Sequence, residues 1–191
     1  MAFRIVVLVS GSGTLLQRLI DTTMAGEIDA EIMAVGSDAL TAQGIARAVA
    51  AGIPTFTHPY EKNTSRARWD AELRDLVAQY QPDLVVCAGF MKLLGADFLA
   101  EFGGRTINSH PSLLPSFPGT RAPADALEHG VKITGTTVFW VDEGVDTGKI
   151  IAQESVPVLV DDTVETLHER IKVVERNLLT SVVADLAKKK E

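Results

Sequence analysis

Ile5-Val6-Val7-Leu8-Val9-Ser10-Gly11-Ser12-Gly13-Thr14-Leu15-Leu16-Gln17-Arg18-Leu19-Ile20 is the stretch on which the fold turns. Its first five residues form an unbroken apolar run rich in β-branched side chains. Such a run marks a strand buried on both faces, as in a parallel sheet. The Ser-Gly-Ser-Gly-Thr turn ends it, and Leu15-Leu16-Gln17-Arg18-Leu19-Ile20 opens a helix. Strand, glycine-rich turn and helix start make an anion site, because free N–H groups and the positive dipole end converge. The turn lacks both the Gly-x-Gly-x-x-Gly spacing and the Lys of a nucleoside-triphosphate loop. It suits a monophosphate better than a dinucleotide or ATP, and an ordinary structural turn is the alternative.

Moving outward, residues 30–37 read as a second strand, 42–51 as a helix ended by Gly52, and 54–56 as a short third strand. A polar stretch, 58–64, leads into a helix over about 65–80. Residues 84–88 are another buried strand, leaving through Gly89-Phe90-Met91-Lys92-Leu93-Leu94. That turn is too apolar for ordinary solvent exposure, so it either packs into the core or lines a ligand crevice. Residues 123–129 form a short helix capped by Gly130, and 133–141 pairs with 150–158 as a hairpin. From Asp162 to about Lys188 runs a long helix, with Asp162 and Glu165 as its capping box. Val164, Leu167, Ile171, Val174, Leu178 and Val182 form its core stripe, and Glu175 lies at the stripe's margin. A carboxylate there is costly unless paired or turned to a cavity. The alternation predicts one α/β domain over residues 1–191, Rossmann-like, with helices on both faces of a twisted, mostly parallel sheet made mixed by the hairpin.

Composition narrows the function. With 191 residues and 46% hydrophobic content the chain can bury a full core. A net charge of -7 argues against a nucleic-acid surface. No apolar run reaches membrane-spanning length, and Met1-Ala2-Phe3-Arg4 has no signal-peptide character, so a cytoplasmic protein is expected. The single Cys87 lies in an apolar strand and reads as an inert buried thiol. The Lys188-Lys189-Lys190 tail reads as the basic end of a helix.

The reactive candidate is Ile107-Asn108-Ser109-His110-Pro111-Ser112-Leu113-Leu114-Pro115-Ser116-Phe117-Pro118-Gly119. Its prolines lock φ and lack an N–H donor, so it reads as a rigid extended loop. Residues two apart in extended backbone point to the same side, so Asn108 and His110 can face one small volume. Further on, Asp142-Glu143-Gly144-Val145-Asp146-Thr147-Gly148 lacks the alternating Asp spacing of a calcium loop and reads first as turn chemistry. Taken singly, each of these residues has an ordinary structural explanation.

Together they resemble a family. Asn-x-His-Pro-Ser-Leu-Leu-Pro-x-x-x-Gly is similar to the signature of the folate-dependent formyltransferases, and Asp146-Thr147-Gly148 resembles that family's Asp-x-Gly element. The resemblance covers nearly the whole chain, with its specificity in residues 11–14, 108–119 and 146–148. It implies the formyltransferase fold, with Asn108, His110 and Asp146 as the catalytic set. Gly11, Ser12, Gly13, Thr14 and Leu15 would hold a substrate phosphate, Leu15 through its backbone only. Arg66, Met91, Lys92, Leu93, Leu94 and Asn108 would bind the folate, and Glu175 would meet the glycinamide end of the nucleotide. The implied reaction passes formyl from 10-formyltetrahydrofolate to the amine of glycinamide ribonucleotide, in purine synthesis. Asn108 and protonated His110 would hold the tetrahedral oxyanion, with Asp146 keeping His110 charged.

No metal is implied, since no complete Cys/His ligand cluster is offered. Small-molecule partners are expected, not nucleic acid or membrane; a homodimer is compatible with a sequence that does not fix the oligomeric state. Rivals inside the family, a deformylase or a tRNA or amino-sugar formyltransferase, call for further domains that residues 1–191 leave no room for. Pro118-Gly119 stands where tRNA enzymes tend to have Arg-Gly, and Arg121 and Pro123 stand where some transformylases carry His. A serine hydrolase would need a Gly-x-Ser-x-Gly elbow that is missing, and Ser109 points away from His110. A non-catalytic phosphosugar-binding module would leave Asn108, His110 and Asp146 idle.

Overall fold

In the computed structural model, which describes residues 2–61 and 64–189, seven strands share one sheet. They are β1 (Phe3–Val9), β2 (Ala30–Ser37), β3 (Thr55–Thr57), β4 (Leu84–Cys87), β5 (Thr106–His110), β6 (Ile133–Trp140) and β7 (Ile150–Pro157). Their spatial order is β3-β2-β1-β4-β5-β6-β7. The first five run parallel, and β6 is antiparallel to both β5 and β7. Lys62 and Asn63 of the polar stretch, Met1, and Lys190 of the basic tail lie outside the described residues.

The helices are α1 (Thr14–Met24), α2 (Gln43–Ala50), α3 (Arg66–Ala78), α4 (Ala96–Phe102), α5 (Ala122–Glu128) and α6 (Val164–Lys188). They cover both faces because β1 alternates between two cores. Ile5, Val7 and Val9 pack with Leu16, Leu19, Leu179 and Val183 from α1 and α6. Val6 and Leu8 pack with Trp69, Leu73, Phe98 and Phe102 from α3 and α4. A strand apolar at every position is thereby buried on both sides, as its composition requires.

Topology then places the crevice. The chain winds outward from β1 through β2 to β3, and returns to lay β4 on the other side of β1. Neighbouring connections diverge at the carboxyl ends of β1 and β4, and ligands of open parallel sheets bind at such a switch point. The turns 10–14 and 89–94 leave from those two ends, and β5 ends beside them at His110.

The structure corrects four readings. Residues 106–110 are a strand, not a loop: Asn108 pairs with Cys87 on one side and Phe139 on the other. Helix α4 was not anticipated; a buried Asp70 carboxylate on α3 anchors its start by accepting from the N–H groups of Gly95 (2.6 Å) and Phe98 (2.8 Å). The cap of α6 is Thr163 with Thr166, not Asp162 with Glu165. Asp162 instead holds Arg170 at 2.7 Å, and this partner keeps its carboxyl well below the usual carboxylate range. Finally, the buried stripe of α6 climbs in steps of four through Leu167, Ile171, Glu175, Leu179 and Val183. Glu175 therefore sits in the middle of the stripe, and Val164 is exposed.

Candidate active site

The turn after β1 is shaped against α2. Gly13 has φ +69, and a Cβ on it would come within 2.6 Å of Gly44 Cα. Only glycine fits both the backbone angle and the close approach. Gly44 N–H donates to the Gly11 carbonyl (3.1 Å), and Arg47 Nε donates to the Ser12 carbonyl (2.8 Å). With those carbonyls drawn toward α2, the N–H groups from Gly11 to Leu15 donate to no acceptor among the described residues. Beside them opens a cavity of about 360 Å³ lined by Ser10, Gly11, Ser12, Thr41, Ala42 and Gln43. The Leu15 side chain is in the core, leaving only its backbone for a ligand. The last three lining residues, from the approach to α2, escaped the sequence reading; nothing in their composition marks them.

The turn after β4 divides. Met91 (70% exposed) and Leu93 (56% exposed) stand in the open. Leu94 does not: its side chain is buried with Phe90, Phe98 and Trp69. Of the residues expected at the folate, Leu94 can therefore offer a ligand its backbone only. Lys92 Nζ lies 3.6 Å from Asp38 Oδ2. Arg66 reaches the same turn from α3, with its guanidinium 4.4 Å from the Trp69 ring centre and its Nη2 donating to the Leu93 carbonyl. Arg68, one residue pair on, is taken up by Glu72 at the surface.

Asn108 and His110 share the α3–α4 face of β5, opposite to Ile107 and Ser109. The His110 ring is buried between two acceptors: Nε2 donates to the Phe117 carbonyl (2.8 Å), and Nδ1 lies 3.3 Å from Asp146 Oδ2. A carbonyl and a carboxylate are both acceptors, so donating to the two at once takes an N–H on each ring nitrogen. Asp146 Oδ2 is oriented in turn by the Gly119 N–H at 2.8 Å. Phe117 and Asp146 both have positive φ, at 54° and 55°. The Asn108 amide has no hydrogen-bond partner among the described residues and is half-buried beside His110.

Residues that the sequence reading did not single out hold this loop down. Thr136 Oγ1 donates to the His110 carbonyl (3.1 Å), and Thr137 Oγ1 donates to the Ser112 carbonyl (2.7 Å). Gln153 Nε2 donates to the Leu114 carbonyl at 2.9 Å. The run Thr134-Gly135-Thr136-Thr137, with hydroxyls for both sheet faces, was the available signal.

Glu175 does not join the Asn108–His110 side. Its carboxyl is buried behind β5, and burial raises its pKa, against a smaller opposite pull from the Ser109 hydroxyl, Lys172 and Arg176. The Ser109 Oγ makes no hydrogen bond of good geometry. Among the described residues, no three His, Cys, Asp or Glu side chains converge as metal ligands would.

A histidine facing a carboxylate, next to an amide without a partner among the described residues, is equipped to receive negative charge on a carbonyl oxygen. Comparison with known proteins agrees in kind: the chain belongs to the formyl transferase family, which matches residues 3–183. It is 52% identical to the phosphoribosylglycinamide formyltransferase of Mycobacterium tuberculosis, over 96% of this chain and 85% of that one. The Escherichia coli protein of the same name is 39% identical over 94% of this chain and 85% of its own length. The crystal structure of glycinamide ribonucleotide transformylase 1 from Symbiobacterium toebii superposes with a TM-score of 0.96. It is 43% identical and covers 98% of this chain and 89% of its own.

Proposed function

We propose that this enzyme transfers the formyl group of 10-formyltetrahydrofolate to the primary amine of glycinamide ribonucleotide, a step of purine synthesis. The observation that carries the reading is the His110–Asp146 pair beside Asn108, lying between a phosphate-type turn and an apolar one. The nucleotide phosphate sits on the N–H groups of residues 11–15. The folate ring lies against Met91, Lys92, Leu93 and the backbone of Leu94, with Arg66 at its edge and Asn108 beneath. Glu175, buried against Ser109, is assigned to the glycinamide end.

The amine nitrogen attacks the formyl carbon, and the formyl oxygen takes up the displaced electron pair. Asn108 Nδ2 and one His110 N–H donate to that oxyanion. The bond to Asp146 is the charge-assisted one, so Nε2 is the nitrogen that turns from the Phe117 carbonyl to the substrate. Collapse breaks the bond from carbon to the folate nitrogen, which receives a proton as the attacking amine loses one. The chemistry asks for no metal, because two protein donors carry the charge. The reaction is assigned to the cytoplasm.

The test offers glycinamide ribonucleotide, methionine linked to tRNA, and water as competing acceptors. Formylated nucleotide as the product is expected. Free formate would point to a deformylase, and formylated methionine to a tRNA enzyme.

A further inference from the structure

The two turns at the switch point are joined by a chain of side-chain contacts that the reaction as described does not use. Ser10 is the residue between β1 and the phosphate turn. Its N–H donates to the Gly89 carbonyl (3.1 Å), and its Oγ accepts from the Met91 N–H (2.7 Å). One serine thus grips the start of the other turn at two points. With one lone pair facing Met91, the Ser10 hydroxyl proton goes to Asp38 Oδ1 at 2.5 Å. Asp38 follows β2 directly, its side chain is 7% exposed, and its second oxygen faces Lys92 Nζ at 3.6 Å.

Direction matters in this chain. A planar trans peptide holds its N–H and C=O opposed, so fixing Met91 N–H on Ser10 turns the Phe90 carbonyl away from Ser10. The orientation of the 89–92 backbone is therefore set by a residue that also fixes where Gly11 begins. An exposed ion pair would contribute little, but a carboxylate taken out of water holds its partners tightly and is costly to leave unpaired. Loop-to-loop contact through a common side chain is the kind of physical connection along which two sites bias one another.

We propose that Ser10 and Asp38 are positioning residues that couple the nucleotide turn to the folate turn, so that each substrate tightens the binding of the other. The proposal rests on the two-substrate reading above. Neither side chain reaches the reacting atoms; they act through the Gly11–Leu15 and Gly89–Leu93 backbones.

Titration calorimetry on the full chain tests it, with glycinamide ribonucleotide measured alone and with a saturating folate analogue lacking a transferable formyl group. The parent should bind the nucleotide about fivefold or more tightly in the presence of the analogue. In Ser10→Ala that ratio should fall to near one, whatever the change in the affinity for either ligand alone. Asp38→Asn, which keeps an acceptor for Ser10 but loses the attraction for Lys92, should fall between them, and serves if Ser10→Ala misfolds by circular dichroism. A ratio unchanged in both variants, or absent in the parent, would overturn the coupling and leave the functional reading standing. Failure of the parent to bind either ligand would overturn both.

Discussion

The turn after β1 and the end of β5 flank the end of β4 on either side yet are built on opposite plans. The first offers backbone alone: its carbonyls are drawn back onto Gly44 and Arg47, and its N–H groups, beside a cavity, have no partner among the described residues. The second offers side chains, and its histidine is already engaged, with His110 approached by an acceptor at both nitrogens. A site made of unpaired backbone is ready before the ligand comes, and should govern affinity. A site whose donors are occupied must exchange a partner to act, and should govern rate.

The sharpest way to break that contrast is at Asp146. Asparagine tolerates positive φ, so Asp146→Asn removes the charge with little cost to the turn. It should lower kcat by about two to three orders of magnitude while both KM values change far less. Steady-state kinetics decides, and His110→Ala combined with it should lose much less than the product of the single losses. Multiplicative losses would show that the two residues do not act as one unit.

Gly13→Ala probes the other plan. The added carbon meets backbone at 2.6 Å and forces the turn to shift, displacing its N–H groups. Losing one or two hydrogen bonds to a charged phosphate corresponds to roughly a ten- to hundredfold rise in the nucleotide KM. The folate KM should hold, and a parallel rise in both would erase the distinction between the two regions. Arg66→Ala should produce the converse at smaller scale. Cation–π contacts of this kind are worth about 0.5–2 kcal/mol, or roughly two- to thirtyfold, here read in the folate KM.

The smallest expected effect is one of stability, at Glu175. A carboxyl whose pKa is raised in the folded state binds its proton more tightly there than in the unfolded chain. Stability is then greatest at acid pH and declines as pH climbs from the unfolded carboxyl range, about 4, toward the raised value. Glu175→Gln removes this decline. Its melting temperature should match the parent in acid and exceed it at neutral pH, by roughly 2–4 °C per kcal/mol recovered. A lower Tm at pH 7 would mean that the ionised carboxylate is satisfied after all.

The same contrast explains what could be read from sequence. Parallel strands declare themselves because burial on both faces leaves few polar positions, so β1, β2 and β4 were legible to within two residues. Strand β5 was not, because Asn108, Ser109 and His110 put polar groups on both faces, where only tertiary partners explain them. Asn108, His110 and Asp146 were found by resemblance to a family, since nothing local joins residues 36 positions apart. Thr137 and Gln153 went unseen because their bonds to the loop span 25 and 39 residues and replace no apolar pattern. The direction of the Leu94 side chain was illegible because periodicity cannot tell an apolar side chain facing a ligand from one facing the α3–α4 core.

Both acceptors around His110 belong to residues whose φ is positive, one an aromatic and one an aspartate, among three such non-glycine residues in the described chain. Each such angle costs about 1–2 kcal/mol that glycine would not incur. The imidazole is thus held by two of the three places among the described residues where the backbone would gain by relaxing. Selection for heat resistance alone, by random mutagenesis and screening, should therefore favour glycine at 117, where the carbonyl is kept, and at 146, where the carboxylate is lost and turnover slows. Stability and turnover are set against each other at Asp146.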